Sequence, residues 1–454
     1  LMGHHPKDQM VQALAEVKKV NPDMYFYGEG WNFGEVQDDK RFVQATQKHL
    51  AGTGIGSFSD RLRDAVRGGS PFGGEAIRKT QGFGNGALVD ANELDGVDLA
   101  TALHQSDLVR LGMAGNLKEF VLTDKDGIPK KGSDIDYNGQ PAGYAQDPTE
   151  IQNYVDKHDN QTLFDNLVYK APAGADLVRM QGVSLATAML GQGIPFTHAG
   201  VELLRSKSME RDSYDSGDWY NRVDYGLSDN NFDKGLPRKD KDEANYELIE
   251  QVLGQHAKPG SAEMHQMVNF YQELSELRQS SRLLRLGSGA EVIKRVDFRN
   301  TGPEQIPGLI VMSVDDGVGA GADLDPAIDG LVVMINATNQ PQSIGDFRDG
   351  KDQPIDLTGM VLSGAHRDSD SIASGAANDS GQLTLGAWSA AVFVKPQSGA
   401  QGAGLPVSKK TDLSTLPPFG DTEVFVRGFL NQWDPVNKMN FSGNFTYEFT
   451  TEVT

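Results

Sequence analysis

The sequence predicts an α/β domain followed by all-β modules, with residues 1–281 forming the second half of a (β/α)8 barrel, its strands 5 to 8. Three observations predict it. Strand-like runs near residues 25, 57, 153 and 195 alternate with helical patterns, as in a parallel sheet joined by crossover helices, and four strands are too few to close a barrel of eight. Two of these runs end in chemistry-bearing residues: Glu29 lies between Gly28 and Gly30, and the segment 154–161 leads into His158-Asp159. Beyond the last strong helix the pattern changes to short β-rich segments split by Gly/Asp turns, which predicts a β-sandwich over 282–397. A Gly-, Ser- and Pro-bearing linker over 398–416 and a truncated β-sandwich module over 417–454 complete the expected organisation.

Each element has its own signal. Residues 1–5 read as the tail of a strand, without charged leader or apolar h-region, so the chain is expected to start inside a domain. Pro6 suits a first turn, Met10, Val11, Leu14 and Val17 share one face of a helix over 6–20, and Asn21-Pro22-Asp23 ends it. A strand over 24–27 follows, then a strand over 55–58 leading into a helix over 60–66, and a helix over 99–113. A helix over 177–190 precedes a buried strand over 193–197, in which Pro195 is unfavourable. Met264, Met267, Tyr271 and Leu274 stripe a helix over 262–279. Strands are then expected over 292–298, 309–314, 330–335 and 383–394, and a new strand set opens at 423–428.

Composition removes several classes of function. The 454 residues carry 42 Lys and Arg against 63 Asp and Glu, a net charge of −21, and lack the basic face that a nucleic-acid backbone demands. No apolar run is long enough for a membrane span. With no cysteine, disulfides and thiol nucleophiles are excluded, although a compartment is not thereby chosen.

Glu29 is the first candidate for chemistry, because functional residues of barrels sit at the C-terminal ends of strands and flanking glycines permit close approach. Alone it would read as a turn carboxylate; the aromatic strand before it and the His-Asp pair downstream turn the reading to catalysis. His158 alone would be a structural histidine, and Asp159, Asn160 and Gln161 turn it towards substrate contact. His4 and His5 are adjacent and in an extended segment point opposite ways, so they predict no zinc site. Residues 134–139 imitate the start of an EF-hand loop, but Ala145 replaces the glutamate of the twelfth position and a turn is the better reading. Trp219 and Tyr220 read as core before they read as sugar contacts.

Together, Leu1-Met2-Gly3, Tyr27-Gly28-Glu29-Gly30-Trp31, Gly52-Thr53-Gly54-Ile55-Gly56, Phe58-Ser59-Asp60-Arg61, Lys157-His158-Asp159-Asn160-Gln161 and the segment 211–219, from Arg211-Asp212 to Trp219, resemble bacterial pullulanases, debranching members of the α-amylase superfamily (glycoside hydrolase family 13). The resemblance extends to about Pro396. It implies retaining hydrolysis of α-1,6-glucosidic bonds in pullulan and branched glucans by two carboxyls about 5 Å apart. Glu29 matches the acid/base and Asp159 the carboxylate that stabilises the oxocarbenium-like transition state. The nucleophilic aspartate would sit one position before Leu1, so the chain alone is expected to be inactive. Among substrate-binding positions, His158 would hydrogen-bond the cleaved ring and Asn160 shares its motif. Trp31 would stack on a sugar, Arg211 and Asp212 would bind on the far side, and His5 would lie close to the pocket.

The resemblance further implies an α-glucan partner, no organic cofactor, structural calcium with ligands unassigned, and an extracellular or cell-surface location. An amylopullulanase that also cleaves α-1,4 bonds and a non-catalytic glucan-binding protein are the alternatives. The module around Trp433 reads equally as a starch-binding module or as an ordinary sandwich with Trp433 in its core.

Overall fold

Four short strands lie side by side in chain order and pair in parallel: β1 (Tyr27–Gly28), β2 (Gly56–Phe58), β3 (Ile151–Asn153) and β4 (Ile194–Pro195). The structure is a computed structural model that describes residues 2–69, 74–345, 347–362, 381–406, 413–417 and 422–451, so Leu1 and part of the expected linker lie outside the described residues. Helix α1 (Lys7–Lys18) precedes β1, α2 (Asp60–Arg67) and α3 (Leu99–Met113) follow β2, and α4 (Leu163–Lys170) and α5 (Leu177–Met189) follow β3. Helices α6 (Tyr246–Leu253) and α7 (Ser261–Ser280) come after β4. No helix among the described residues is long and apolar enough to cross a membrane.

Local chemistry sets these bounds. Side chains of Asp98, Thr162 and Asp176 accept the N–H of Thr101 (2.8 Å), Asp165 (3.1 Å) and Arg179 (3.1 Å), capping α3, α4 and α5. Gly68, at φ 90°, ends α2 in the left-handed region. Helices α5 and α7 pack closely because Gly182 has no side chain: a Cβ there would stand 2.8 Å from the Phe270 ring.

The second layer is a five-stranded antiparallel sheet. Helix α8 (Gly289–Arg295) leads into β5 (Val296–Arg299), followed by β6 (Leu309–Asp315), β7 (Ile328–Asn336), β8 (Thr358–Val361) and β9 (Ser389–Pro396), in the spatial order β8-β9-β7-β6-β5. Strand periodicity sends Ile310, Met312, Leu331, Val333 and Ile335 into the core shared with the helices, while Leu309, Val311, Val332 and Met334 face a smaller core with Phe347, Leu383 and Phe393. Burial of both faces explains why Leu331 to Ile335 are apolar without a break.

The chain is thus α/β followed by all-β, with five corrections. Met2–His4 form a 3-10 turn where the tail of a strand was expected. Strand β1 falls at 27–28, later than expected. Residues 292–295 are helical because Arg295, fully buried, pairs with Glu291 one turn before it and with Asp316. The run 383–394 divides into Leu383–Leu385 and β9 around Trp388, which adopts φ 43°. Helices α4 and α6 were not anticipated from the sequence.

Residues 1–407 and 408–454 are two compact units. The described part of the second holds two hairpins, Phe425–Val426 with Asn437–Lys438 and Asn440–Gly443 with Thr446–Glu448. Trp433 is on its surface, 64% exposed, and not in a core.

Candidate active site

The turn after β1 is fixed by its backbone. Gly3 N donates to Glu29 O (2.8 Å) and Gln47 N to Gly30 O (3.1 Å), and a Cβ on Gly3 would stand only 2.1 Å from Trp31 O. Glycine is therefore required by close approach, and the half-buried Glu29 side chain projects from a rigid support.

The loop 154–162 after β3 supplies the facing groups. Tyr154 is buried edge-on against Phe58 of β2, with centroids 5.5 Å apart. Lys157 is buried, and its Nζ lies 3.0 Å from Glu29 Oε1 and 3.1 Å from Asp159 Oδ2, while His158 Nε2 is 3.3 Å from Asp159 Oδ1. Ligand-type atoms of Glu29, His158 and Asp159 all lie within 4.8 Å of one another. Half-burial works to raise the Asp159 pKa, but Lys157, then His158 and Lys207, outweigh it and hold the carboxyl below its ordinary range.

Two buried cations hold this loop by its carbonyls. Arg67, at the end of α2, donates from Nη1 to Val155 O (3.0 Å) and from Nη2 to Gln161 O (2.7 Å). Lys207 Nζ donates to His158 O (2.8 Å) and to Ser213 Oγ (3.2 Å), so it joins the His158 loop to the segment carrying Arg211 and Asp212. Burial pushes the pKa of both cations down, and the buried Asp156 opposes that shift in each. Asn160 turns the chain at φ 65°, a conformation asparagine tolerates.

Five of the eight predicted residues, His158, Asp159, Asn160, Arg211 and Asp212, line one cavity of about 370 Å³ together with Ser213, Tyr214 and Asn221. Arg211 Nε stands 3.6 Å from Asp242 Oδ1, and Asp212 Oδ2 stands 3.3 Å from Lys241 Nζ. Glu29 adjoins this cavity through Asp159, and Trp31 faces Lys157 Nζ at 5.8 Å from its ring centroid. His5 lies outside this grouping: it is exposed, and its carbonyl accepts the Ala45 N–H (2.9 Å). Tyr220 is core, its hydroxyl donating to Leu236 O, whereas Trp219 is partly exposed beside it.

Lys157, Arg67 and Lys207 escaped sequence reasoning. Lys157 stands inside the quoted motif and could have been weighed as the counter-ion of its neighbours; Arg67 and Lys207 act through backbone carbonyls that no spacing announces. Glu29, His158 and Asp159 are also the one group of three such ligands that approach so closely among the described residues. They suit a metal poorly, because the Lys157 ammonium already stands between the two carboxylates.

Residues 227–396 match the family model for the C-terminal part of pullulanase-type alpha-1,6-glucosidases. The chain is 56% identical over 416 residues to a pullulanase of Klebsiella pneumoniae, covering 90% of this chain and 37% of that protein. It is 40% identical over 422 residues to the chloroplastic pullulanase 1 of Arabidopsis thaliana, covering 88% of this chain and 43% of the relative. In fold it is similar to the maltotriose complex of PulA from Klebsiella pneumoniae, with a TM-score of 0.84, 54% identity and coverage of 90% of this chain and 44% of the other. The chain thus spans well under half the length of these relatives, and the resemblance to pullulanases in their C-terminal part is shown in both sequence and fold.

Proposed function

We propose, from this kinship with the C-terminal part of pullulanases, that the chain carries the acid/base side of a site that hydrolyses α-1,6-glucosidic bonds in pullulan and branched α-glucans. The observation that carries the reading is the convergence of Glu29 from β1 with His158 and Asp159 from the loop after β3, beside the cavity lined by Arg211 and Asp212. In this reading β1 to β4 are the second half of a (β/α)8 barrel, and the residues lie where its strand ends meet.

The chemistry is retaining. Glu29 gives its proton to the glycosidic oxygen as the C–O bond breaks, while a carboxylate contributed by sequence ahead of Leu1 attacks the anomeric carbon. Glu29 then takes a proton from the water that releases the sugar. Asp159, held ionised beside Lys157, offers negative charge to the oxocarbenium-like transition state and accepts hydrogen bonds from ring hydroxyls, and His158 donates a hydrogen bond to the ring. Trp31, Arg211 and Asp212 bind neighbouring sugars. The calcium expected from the resemblance is not placed at the carboxylate pair, since Lys157 supplies the positive charge there.

The test uses the protein with its upstream sequence in place and measures maltotriose released from pullulan. Glu29→Gln is expected to lower kcat by roughly 10²–10⁴-fold, the usual contribution of a general acid, with maltotriose affinity retained. Near-normal turnover by that variant rejects the assigned role. Glucan binding without pullulan cleavage by the unmodified protein would mark a binding protein, and cleavage of unbranched amylose would mark an amylopullulanase.

A further inference from the structure

We infer that Lys157 is a positioning residue for this site, its ammonium holding Glu29 and Asp159 together as one unit that faces a single glucose ring. The inference rests on the reading of Glu29 and Asp159 just given. It begins from the sheet order: β1 and β3 are not neighbours, because β2 lies between them. Glu29 and Asp159 therefore come from segments that no strand pairing joins, yet their carboxylate oxygens approach within 4.8 Å. Once Glu29 has given up its proton, the two carboxylates are like charges at that distance, which repel and need a counter-charge.

Lys157 supplies it. One ammonium donates to Glu29 Oε1 and reaches Asp159 Oδ2, at 3.0 and 3.1 Å, leaving Asp159 Oδ1 turned to His158. Its side chain is only 3% exposed, against 20% for Glu29 and 50% for Asp159, so the ammonium lies deeper than the carboxylates it joins. The ammonium lies 4.8 Å from the Phe58 ring centroid, 5.8 Å from Trp31 and 5.9 Å from Tyr154. Those rings belong to β2, to the turn after β1 and to the loop after β3, so the cage that fixes the cation spans the two segments that it ties together and the strand between them. Arg67 and Lys207 restrain the backbone on both sides of Lys157, and the lysine has little freedom to move elsewhere.

A cation with this task acts only through Glu29 and Asp159 and leaves the Arg211 and Asp212 side of the cavity unchanged. Lys157→Met keeps the length and removes the charge. Because a displacement of about 1 Å at a reacting group can cost about 10²-fold, kcat on pullulan should fall about 100-fold while KM changes by less than about threefold. Lys157→Arg, which restores the charge, should recover at least about tenfold of that loss. In the Glu29→Gln background the same Lys157→Met change should cost less than about tenfold, since one of the two groups it positions is already disabled. A merely structural lysine would instead lower activity equally in both backgrounds.

Retention of more than about a third of kcat by Lys157→Met, an equal loss in both backgrounds, or a loss confined to KM overturns the inference. Failure of the unmodified protein to cleave pullulan, or an active Glu29→Gln variant, overturns the reading beneath it, so the two failures are told apart by which variant misbehaves.

Discussion

Replacing Arg67 by methionine should loosen the candidate site at its support and leave its chemical groups in place. Arg67 is 4% exposed and closes the segment 155–161 by bonding the carbonyls at its two ends, Val155 (3.0 Å) and Gln161 (2.7 Å). A hydrogen bond to a charged group contributes about 1.5–3 kcal/mol, so losing two removes about 3–6 kcal/mol. Part of this returns, because methionine does not bear the desolvation that depresses the Arg67 pKa. Against that return, Asp156, 2% exposed, loses one of its cationic neighbours. The balance predicts a destabilisation of about 3 kcal/mol for Arg67→Met, and about half of it for Arg67→Lys, which reaches one carbonyl only. Urea unfolding with a common slope measures the difference. A loss below about 1 kcal/mol for Arg67→Met, or a lysine variant as stable as the original, refutes the claim that a two-carbonyl clamp supports the loop.

Two further predictions concern the same half of the chain. Lys170 is fully buried, its Nζ donating to Gly68 O and Thr80 O, and burial drives its pKa from 10.5 down to about 7. The folded state therefore binds fewer protons than the unfolded one between these values, and the stability of the original protein relative to Lys170→Met should rise as pH climbs from about 7 towards 10, by up to about 5 kcal/mol. Paired unfolding curves at the two ends of that range check the sign, and a gap that is flat or narrows contradicts it. Gly182→Ala should cost about 1–3 kcal/mol, because the new Cβ would stand 2.8 Å from Phe270, and Phe270→Leu should reduce that cost in a double-mutant cycle.

Much of the fold was legible because its signals are local. Helix α3 occupies the expected 99–113, with Asp98 as its cap, and α5 and α7 follow the expected stripes to within a residue or two. Helix α4 was hidden because the eye stops at the Lys-His-Asp-Asn-Gln motif, although Thr162 was available as a cap. The segment 292–295 misled because Val292, Ile293 and Val296 have strand propensity, and only the buried Arg295 with its pairing to Asp316, 21 residues away, shows why a helical turn prevails. Strand β1 is displaced from 24–27, and Tyr25 instead sends its hydroxyl to Thr149 O and accepts from Gln152, long-range bonds that no periodicity encodes.

The site divides in the same way. Glu29, His158 and Asp159 were legible as strand-end residues, and the cavity gathers Asn160, Arg211 and Asp212 with the latter two. The groups that hold them in place act through space. Lys157 bridges residues that follow two non-adjacent strands, and Arg67 and Lys207 bond carbonyls 88 and 49 positions away, contacts that exist only after the chain has folded.

The account depends on Glu29 and Asp159 addressing one glucose unit. The most direct measurement is a crystal structure of the Glu29→Gln protein, with its upstream sequence in place, bound to a branched oligosaccharide containing an intact α-1,6 bond. The account predicts the substituted side chain within hydrogen-bond distance of the bridging oxygen, with Asp159 and His158 on hydroxyls of the adjoining ring. An α-1,6 linkage seated away from residue 29, or a ring that meets one of the two positions and not the other, contradicts it.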